Sequence, residues 1–474
     1  MIKNFFEKRF HIQARGSRIS VEVVAGITVF FTAAYIIFLN PSILSSAFPS
    51  ELRVSLTIAT CIGAAVSCIL CGFLANLPLI QASGLSLSAL FVYTICGEYG
   101  YSWQAGLAAM LISGIIFIIL TLTGVRERLL NAIPRDLKNA ISIGIGLFIC
   151  AIGLENSGIS LYGAFGSFTS PMALMTIFGL LLIVVLTIIR FRYAIFVSLI
   201  TVTLLVILIV YTNPNYASKL GVSNTFSFTF DYQIFGKFTE GFGHFFGKNG
   251  PTATQDLPAQ ITLFALLLLS IILVNIFDTI GALIGVIKHG NFFDQNGRAL
   301  GVKKALLSDA IGTTLGGVFG YTPVTTFIES NVGVAAGART GLAAVVTGIM
   351  FLIFIPLAPL TNLISPAATA PVMIVIGASM MRYVVDIDWK DPIAALPAFL
   401  TVVVMTVTKD IFSGIAIGFV IYTIIDLAAR IAIHFGRCDP GWAARYQLDH
   451  REPLLYVFGL LFILYYSLRA GFGY

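Results

Sequence analysis

Polar residues are so sparse along this chain that they act as punctuation. Apolar runs of about 20 residues, the length needed to cross a bilayer, recur between short charged or Gly/Pro-rich breaks. The clearest are Met172–Ile189, Ala194–Tyr211, Ile261–Val274 running on into Asn275, and Ile411–Ile425. Setting runs against breaks predicts helices near 24–46, 54–76, 84–97, 104–124, 137–154, 172–190 and 193–211. A second set is predicted near 259–287, 303–319, 323–336, 341–361, 366–381, 392–407 and 411–430, which makes fourteen spans. The third and tenth are too short to cross as full helices. A last apolar run, Leu454–Leu468, has no place assigned by the pattern alone.

Composition agrees with the pattern. Apolar residues make up 58% of the 474 positions and charged residues 11%, against about 25% charged in soluble proteins. The mean hydropathy is +0.94. So few charges cannot cover a water-facing surface, and the chain reads as an all-α polytopic membrane protein. The net charge of +6 calls for no nucleic-acid partner, because Lys and Arg gather in loops on one side of the predicted membrane.

With the N-terminus inside, the even-numbered exits should also be inside. They carry Arg126, Arg128, Arg135 and Lys138, then Arg190 and Arg192, then Lys288, Arg298, Lys303 and Lys304, then Arg339, Arg382, Arg430 and Arg437. The longest loop, 212–258, falls outside and holds only Lys219, Lys237 and Lys248. Residues 1–23 are basic, lack an apolar signal core, and read as a cytosolic lead into the membrane. The six cysteines suggest neither disulfides nor metal. Cys61, Cys68 and Cys71 share one apolar helix, with no His or second CxxC nearby.

The halves echo one another. "GLAAMLISGIIFIILTLTG" begins at Gly106 and "GLAAVVTGIMFLIFIPLAP" at Gly341, an offset of half the chain. Each is followed by a proline (Pro134, Pro366) and a Gly-containing apolar segment (Gly144, Gly377). Two halves of seven spans must have opposite orientations, because seven is odd. Inverted repeats with paired short helices place a substrate site at the midplane, where those helices meet. Here they are "IQASGLSLSALFVYT" (80–94) and "YTPVTTFIESNVGV" (321–334), each a small-residue polar stretch before a brief helix.

Ionisable groups inside the membrane are the sharper signal, since each costs about 2.5–3.5 kcal/mol or more at the bilayer centre. Glu329 lies in the tenth span and Asp278 in the eighth, with Asn275 one helical turn before it. Asp309 and Glu22 read as helix-end or interfacial charges. No His lies inside a span except His289 at a margin, so proton coupling would have to use carboxylates.

Together these segments resemble the AzgA-like purine permeases of the nucleobase–cation symporter superfamily. The likeness shows at "AGITVFFTAAYIIFLNPSIL" (25–44), "IPRDLKNAISIGIGLFICAIGL" (133–154), "NIFDTIGALIGV" (275–286), "DAIGTTLGG" (309–317) and "TTFIESNVGVAAGARTGLAAVV" (325–346). It implies a seven-plus-seven inverted repeat with a core domain at 24–124 and 259–361. A gate domain would occupy 125–258, which includes the outside loop, and 362–430, leaving 431–474 as a tail. It also implies proton-coupled purine uptake across the cytoplasmic (inner) membrane without a cofactor, both termini being cytoplasmic. The implied base-binding set is Glu329, Asp278, Asn275, Ser86, Ser88 and Thr326, with Asp278 and Glu329 also serving the proton.

Two departures stand out. "SGLSLSALF" replaces the family's "PGMGLNAYF", so Ser83, Ser86, Ser88 and Leu90 stand for Pro, Gly, Asn and Tyr. Asn275 stands where relatives carry a second acid. An Asn amide offers a donor where a carboxylate offers only acceptors, which predicts that oxo-substituted bases are preferred to adenine. The alternatives are a symporter of another planar heterocycle, such as a pyrimidine, or an anion carrier of the same architecture. Glu329 argues against the anion. The expected partners are a small nucleobase, the lipid bilayer and a second copy of the chain.

Overall fold

The structure is a computed structural model and describes residues 2–126, 128, 133–161, 164–222, 230–246, 257–293, 299–435 and 454–471. Lys248, Arg298 and Arg437 of the loop assignment, and much of the 431–474 tail, lie outside the described residues.

All fourteen expected segments are present. Span 1 is two helices, Ile19–Ala33 and Ile36–Leu44, separated at Ala34 and Tyr35. Span 2 is Arg53–Ala75, span 4 Trp103–Leu122, span 5 Arg135–Asn156, span 6 Pro171–Ile188 and span 7 Ala194–Thr212. Span 8 is Leu257–Gly290, span 9 Val302–Phe319 and span 11 Gly341–Phe354, which tightens into Ile355–Leu363. Spans 12, 13 and 14 are Pro366–Met380, Pro392–Thr408 and Ile411–His434. Helix starts use the expected caps: Ser170 accepts from Ala173 N ahead of Pro171, and Asp410 accepts from Phe412 N and Ser413 N.

Spans 3 and 10 are the broken pair. Span 3 is the strand Gln81–Ser83, then the helix Leu85–Ala89 widening into Leu90–Glu98. Span 10 is the strand Val324–Thr326, then the helix Ser330–Ala335. The two strands pair antiparallel, Gln81 opposite Thr326 and Ser83 opposite Val324.

The described chain forms two compact units. The first comprises Met1–Thr123 and Ile149–Ile376, and the second Gly124–Phe148 and Gly377–Tyr474. These cuts fall elsewhere than the core and gate boundaries implied by the resemblance. In the first unit the repeat is visible as packing. Span 2 lies against span 11, and span 9 against span 4, which are equivalent pairs when spans 1–7 map onto 8–14. Both contacts are made at glycines. A Cβ on Gly341 would stand 2.1 Å from the Gly72 carbonyl oxygen, and one on Gly114 would stand 2.6 Å from the Thr314 backbone. Without side chains there, backbones close on one another as membrane helices do at small residues.

The second unit resolves the place of the last apolar run. Helix Leu454–Gly471 lies against span 14. Phe458 and Phe462 pack on Phe419, Phe462 also on Phe412, and the Tyr456 hydroxyl donates to the buried Asp426.

Candidate functional site

Extended chain inside a membrane must find partners for its N–H and C=O groups. At the crossing of spans 3 and 10 it finds them in the strand pair and in side chains. Gly84 N donates to Pro323 O and Phe327 N to Ile80 O, both at 3.0 Å. Ile80 N donates to Ser330 Oγ at 2.9 Å, and Gln81 N to Cys68 Sγ at 3.3 Å. The Gln81 amide donates to Ala305 O at 3.1 Å and accepts from Ser308 at 2.8 Å, which ties the strand to span 9.

Two carboxylates flank this crossing. Asp278 of span 8 accepts from Ser86 Oγ at 2.6 Å and from the Thr325 hydroxyl, so one acid touches both broken segments. Gly84 makes room for it: a Cβ there would stand 2.9 Å from Asp278 Oδ2 and 2.8 Å from Thr325 Cγ2. Glu329, just before the short helix of span 10, accepts from the Tyr35 hydroxyl at 2.6 Å. Both acids keep partial exposure, while Ser86, Ser88, Asn275 and Thr326 beside them are buried. Ionisable groups inside membrane spans are rare and commonly mark substrate or ion pathways.

The other expected residues divide. Thr326 accepts from Gln81 Nε2 at 3.4 Å and holds the strand pair. Ser88 donates to Asn40 Oδ1 and lies 2.8 Å from the Thr322 hydroxyl, while Asn40 Nδ2 donates to Thr60 at 2.8 Å. That buried knot joins spans 1, 2 and 3 to the chain entering span 10. The Asn275 amide also has protein partners, donating to Thr313 Oγ1 at 3.2 Å and accepting from Thr279 at 3.3 Å. Thr313 Oγ1 in turn accepts from Val324 N at 3.2 Å, so Asn275 braces the second strand. The oxo-base preference argued from Asn275 has no support in this arrangement.

Glu22 and Asp309, expected near membrane ends, are both buried. Glu22 accepts from the backbone N–H groups of Arg339 and Thr340, at 2.8 and 3.2 Å, where span 11 begins. Asp309 faces Thr279, at 3.3 Å from each carboxylate oxygen. Among the described residues no group of three or more His, Cys, Asp or Glu side chains could hold a metal.

Sequence reasoning missed Tyr35, Asn40, Gln81 and Thr322. Asn40 and Gln81 carried a findable signal, since buried amides inside apolar spans need partners.

The comparisons with known proteins agree with this architecture. The Permease family model matches residues 20–417. Guanine/hypoxanthine permease PbuO of Bacillus subtilis (strain 168) is 35% identical over 96% of this chain and 99% of its own length. Adenine permease AdeQ of Escherichia coli (strain K12) is 34% identical over 88% of this chain and 90% of its own. Among solved structures, the transmembrane domain of the cyanobacterial bicarbonate transporter BicA matches with a TM-score of 0.57 at 15% identity. It covers 83% of this chain and 97% of that one, a likeness of fold, with the same seven-plus-seven inverted repeat. The motifs, the broken helices and these matches lead to one assignment: the chain belongs to the Permease family of membrane transporters, and to its AzgA-like purine permeases.

Proposed function

We propose that this protein takes up a purine nucleobase across the cytoplasmic membrane with protons as the driving ion, its N- and C-termini in the cytoplasm. The observation that carries the reading is the pair of partly exposed carboxylates, Glu329 and Asp278, set at the crossed strands of spans 3 and 10. A neutral heterocycle presents ring N–H groups, and an ionised carboxylate is the strongest acceptor a side chain can offer them. An anion would meet negative charge at the same place. The guanine/hypoxanthine and adenine permeases among the relatives support a purine but do not choose between an oxo- and an amino-base. The same acids can take up a proton, and in this reading base and proton bind at one site and cross together.

The test is uptake of labelled adenine, guanine, hypoxanthine, xanthine and uracil by cells that lack their own permeases. Each is measured with and without a proton gradient, for the natural protein and for Glu329→Gln. The reading expects uptake of at least one purine, sensitive to collapse of the gradient. It also expects loss of about tenfold or more in the variant, the worth of a charge-assisted hydrogen bond. Full uptake by Glu329→Gln would make Glu329 a structural charge. Uptake of uracil alone would move the assignment to pyrimidines.

A further inference from the structure

Span 1 brings a residue to this site that the family motifs of spans 3, 8 and 10 do not include. The helix Ile19–Ala33 ends at Ala34–Tyr35, and the chain tightens there. Ile37 N and Phe38 N bond three residues back, to Ala34 O at 3.2 Å and Tyr35 O at 3.1 Å, before Ile36–Leu44 resumes. At this break Tyr35 is 2% exposed. Its hydroxyl reaches 294 positions along the chain to donate to Glu329 Oε1 at 2.6 Å. That length is within the range of about 2.5–3.0 Å for an O–H···O hydrogen bond.

We propose that Tyr35 is a positioning residue for the transported base: its hydroxyl holds the Glu329 carboxyl group in the orientation that meets the base. The inference rests on the reading of Glu329 as the base-binding carboxylate. The elements packed against the Ser330–Ala335 helix are the first half of span 1 and span 8. Their titratable groups on this side are Asp278 and Tyr35 itself. Glu22 lies at the far end, engaged with Arg339 N and Thr340 N, and the Arg339 guanidinium donates to Val334 O and Ala338 O. A phenol O–H aimed at the carboxyl group is thus a neutral donor that holds one of its oxygens in place. Hydrogen bonding to the charged form favours that form. Phenol and carboxylate sit on different spans, so the bond also ties the break in span 1 to the mouth of the short helix.

The test uses the full-length protein in membranes and replaces Tyr35 in two directions. Tyr35→Phe keeps the ring and removes the donor, whereas 3-fluorotyrosine at position 35 keeps the shape and makes a stronger donor. The pH dependence of KM for the best-transported purine is the first readout. Tyr35→Phe should raise KM about tenfold at neutral pH and move the acidic limb of the profile upward by about one pH unit, with fluorotyrosine moving it the other way. The second readout needs no substrate. It is an infrared titration of the carboxyl band that disappears in Glu329→Gln, whose midpoint should shift in the same two directions. A folded Tyr35→Phe protein with an unmoved carboxyl titration overturns the inference. So does a fluorotyrosine protein without the opposite shift, should the Phe variant fail to reach the membrane. If no base is transported but the carboxyl titration moves as expected, the Tyr35–Glu329 coupling stands and the substrate assignment fails.

Discussion

At the residue scale, Asp278 of span 8 bonds Ser86 of span 3, and Glu329 of span 10 bonds Tyr35 at the break in span 1. Glu329 and Asp278 announce themselves because an acid in an apolar run needs a reason. Tyr35 looks like any of the 17 tyrosines, and the 294 positions between it and Glu329 carry no spacing that could join them. Asn275 shows the converse: its neighbour Asp278 bonds Ser86, yet its own amide is turned to Thr313 and Thr279. Asn275→Asp would remove the N–H given to Thr313 and add a second carboxylate one hydroxyl away from Asp309. The expected outcome is a lower melting temperature of the detergent-extracted protein, from a loss of about 1–3 kcal/mol, with the ranking of transported bases unchanged. A changed ranking at unchanged stability would instead place the Asn275 amide against the ligand.

At the scale of elements, alternation of apolar runs and breaks located every span, because a membrane helix is long and its signal is summed over about 20 residues. The strands Gln81–Ser83 and Val324–Thr326 were legible only as non-helical chain, since three residues offer no period. The repeated "GLAA" marks spans 4 and 11 as equivalent without marking where they make their close contacts. Gly341 begins span 11 against Gly72, whereas its counterpart Gly106 faces the Phe91 ring, and span 4 meets span 9 further along, at Gly114 against Thr314. Gly341→Ala puts a Cβ 2.1 Å from a backbone oxygen, which no rotamer change can relieve. Overpacking costs about 1–3 kcal/mol where side chains can yield, so a backbone clash belongs at the upper end. Gly341→Ala and Gly114→Ala should each reduce the folded, monodisperse fraction on size-exclusion chromatography. Wild-type behaviour of either would show that its helix pair slides apart without loss.

At the scale of the whole molecule, orientation follows from counting. Seven spans per half invert the second half relative to the first, and the basic loops then fall on one side throughout. The described N-terminal segment is built into that side. Arg15 donates to Asn76 O at 2.7 Å, and Asn76 Oδ1 accepts from Gly341 N at 2.8 Å. Its guanidinium is held below the usual arginine range by burial, partly offset by Glu22. The end of span 2, the start of span 11 and the lead 2–18 therefore share one membrane face, the basic one, which is the face the proposed orientation puts in the cytoplasm. This is testable with single cysteines in a cysteine-free background. Ser46→Cys after span 1 and Asn215→Cys after span 7, both exposed, should react with a membrane-impermeant maleimide in intact cells. Gln13→Cys and Lys288→Cys, also exposed, should react only after permeabilisation. Labelling of Gln13→Cys from outside would invert the molecule. Labelling of Asn215→Cys and Lys288→Cys from the same side would break the count of spans between them, and with it the opposed halves that set Glu329 beside the strand of span 3.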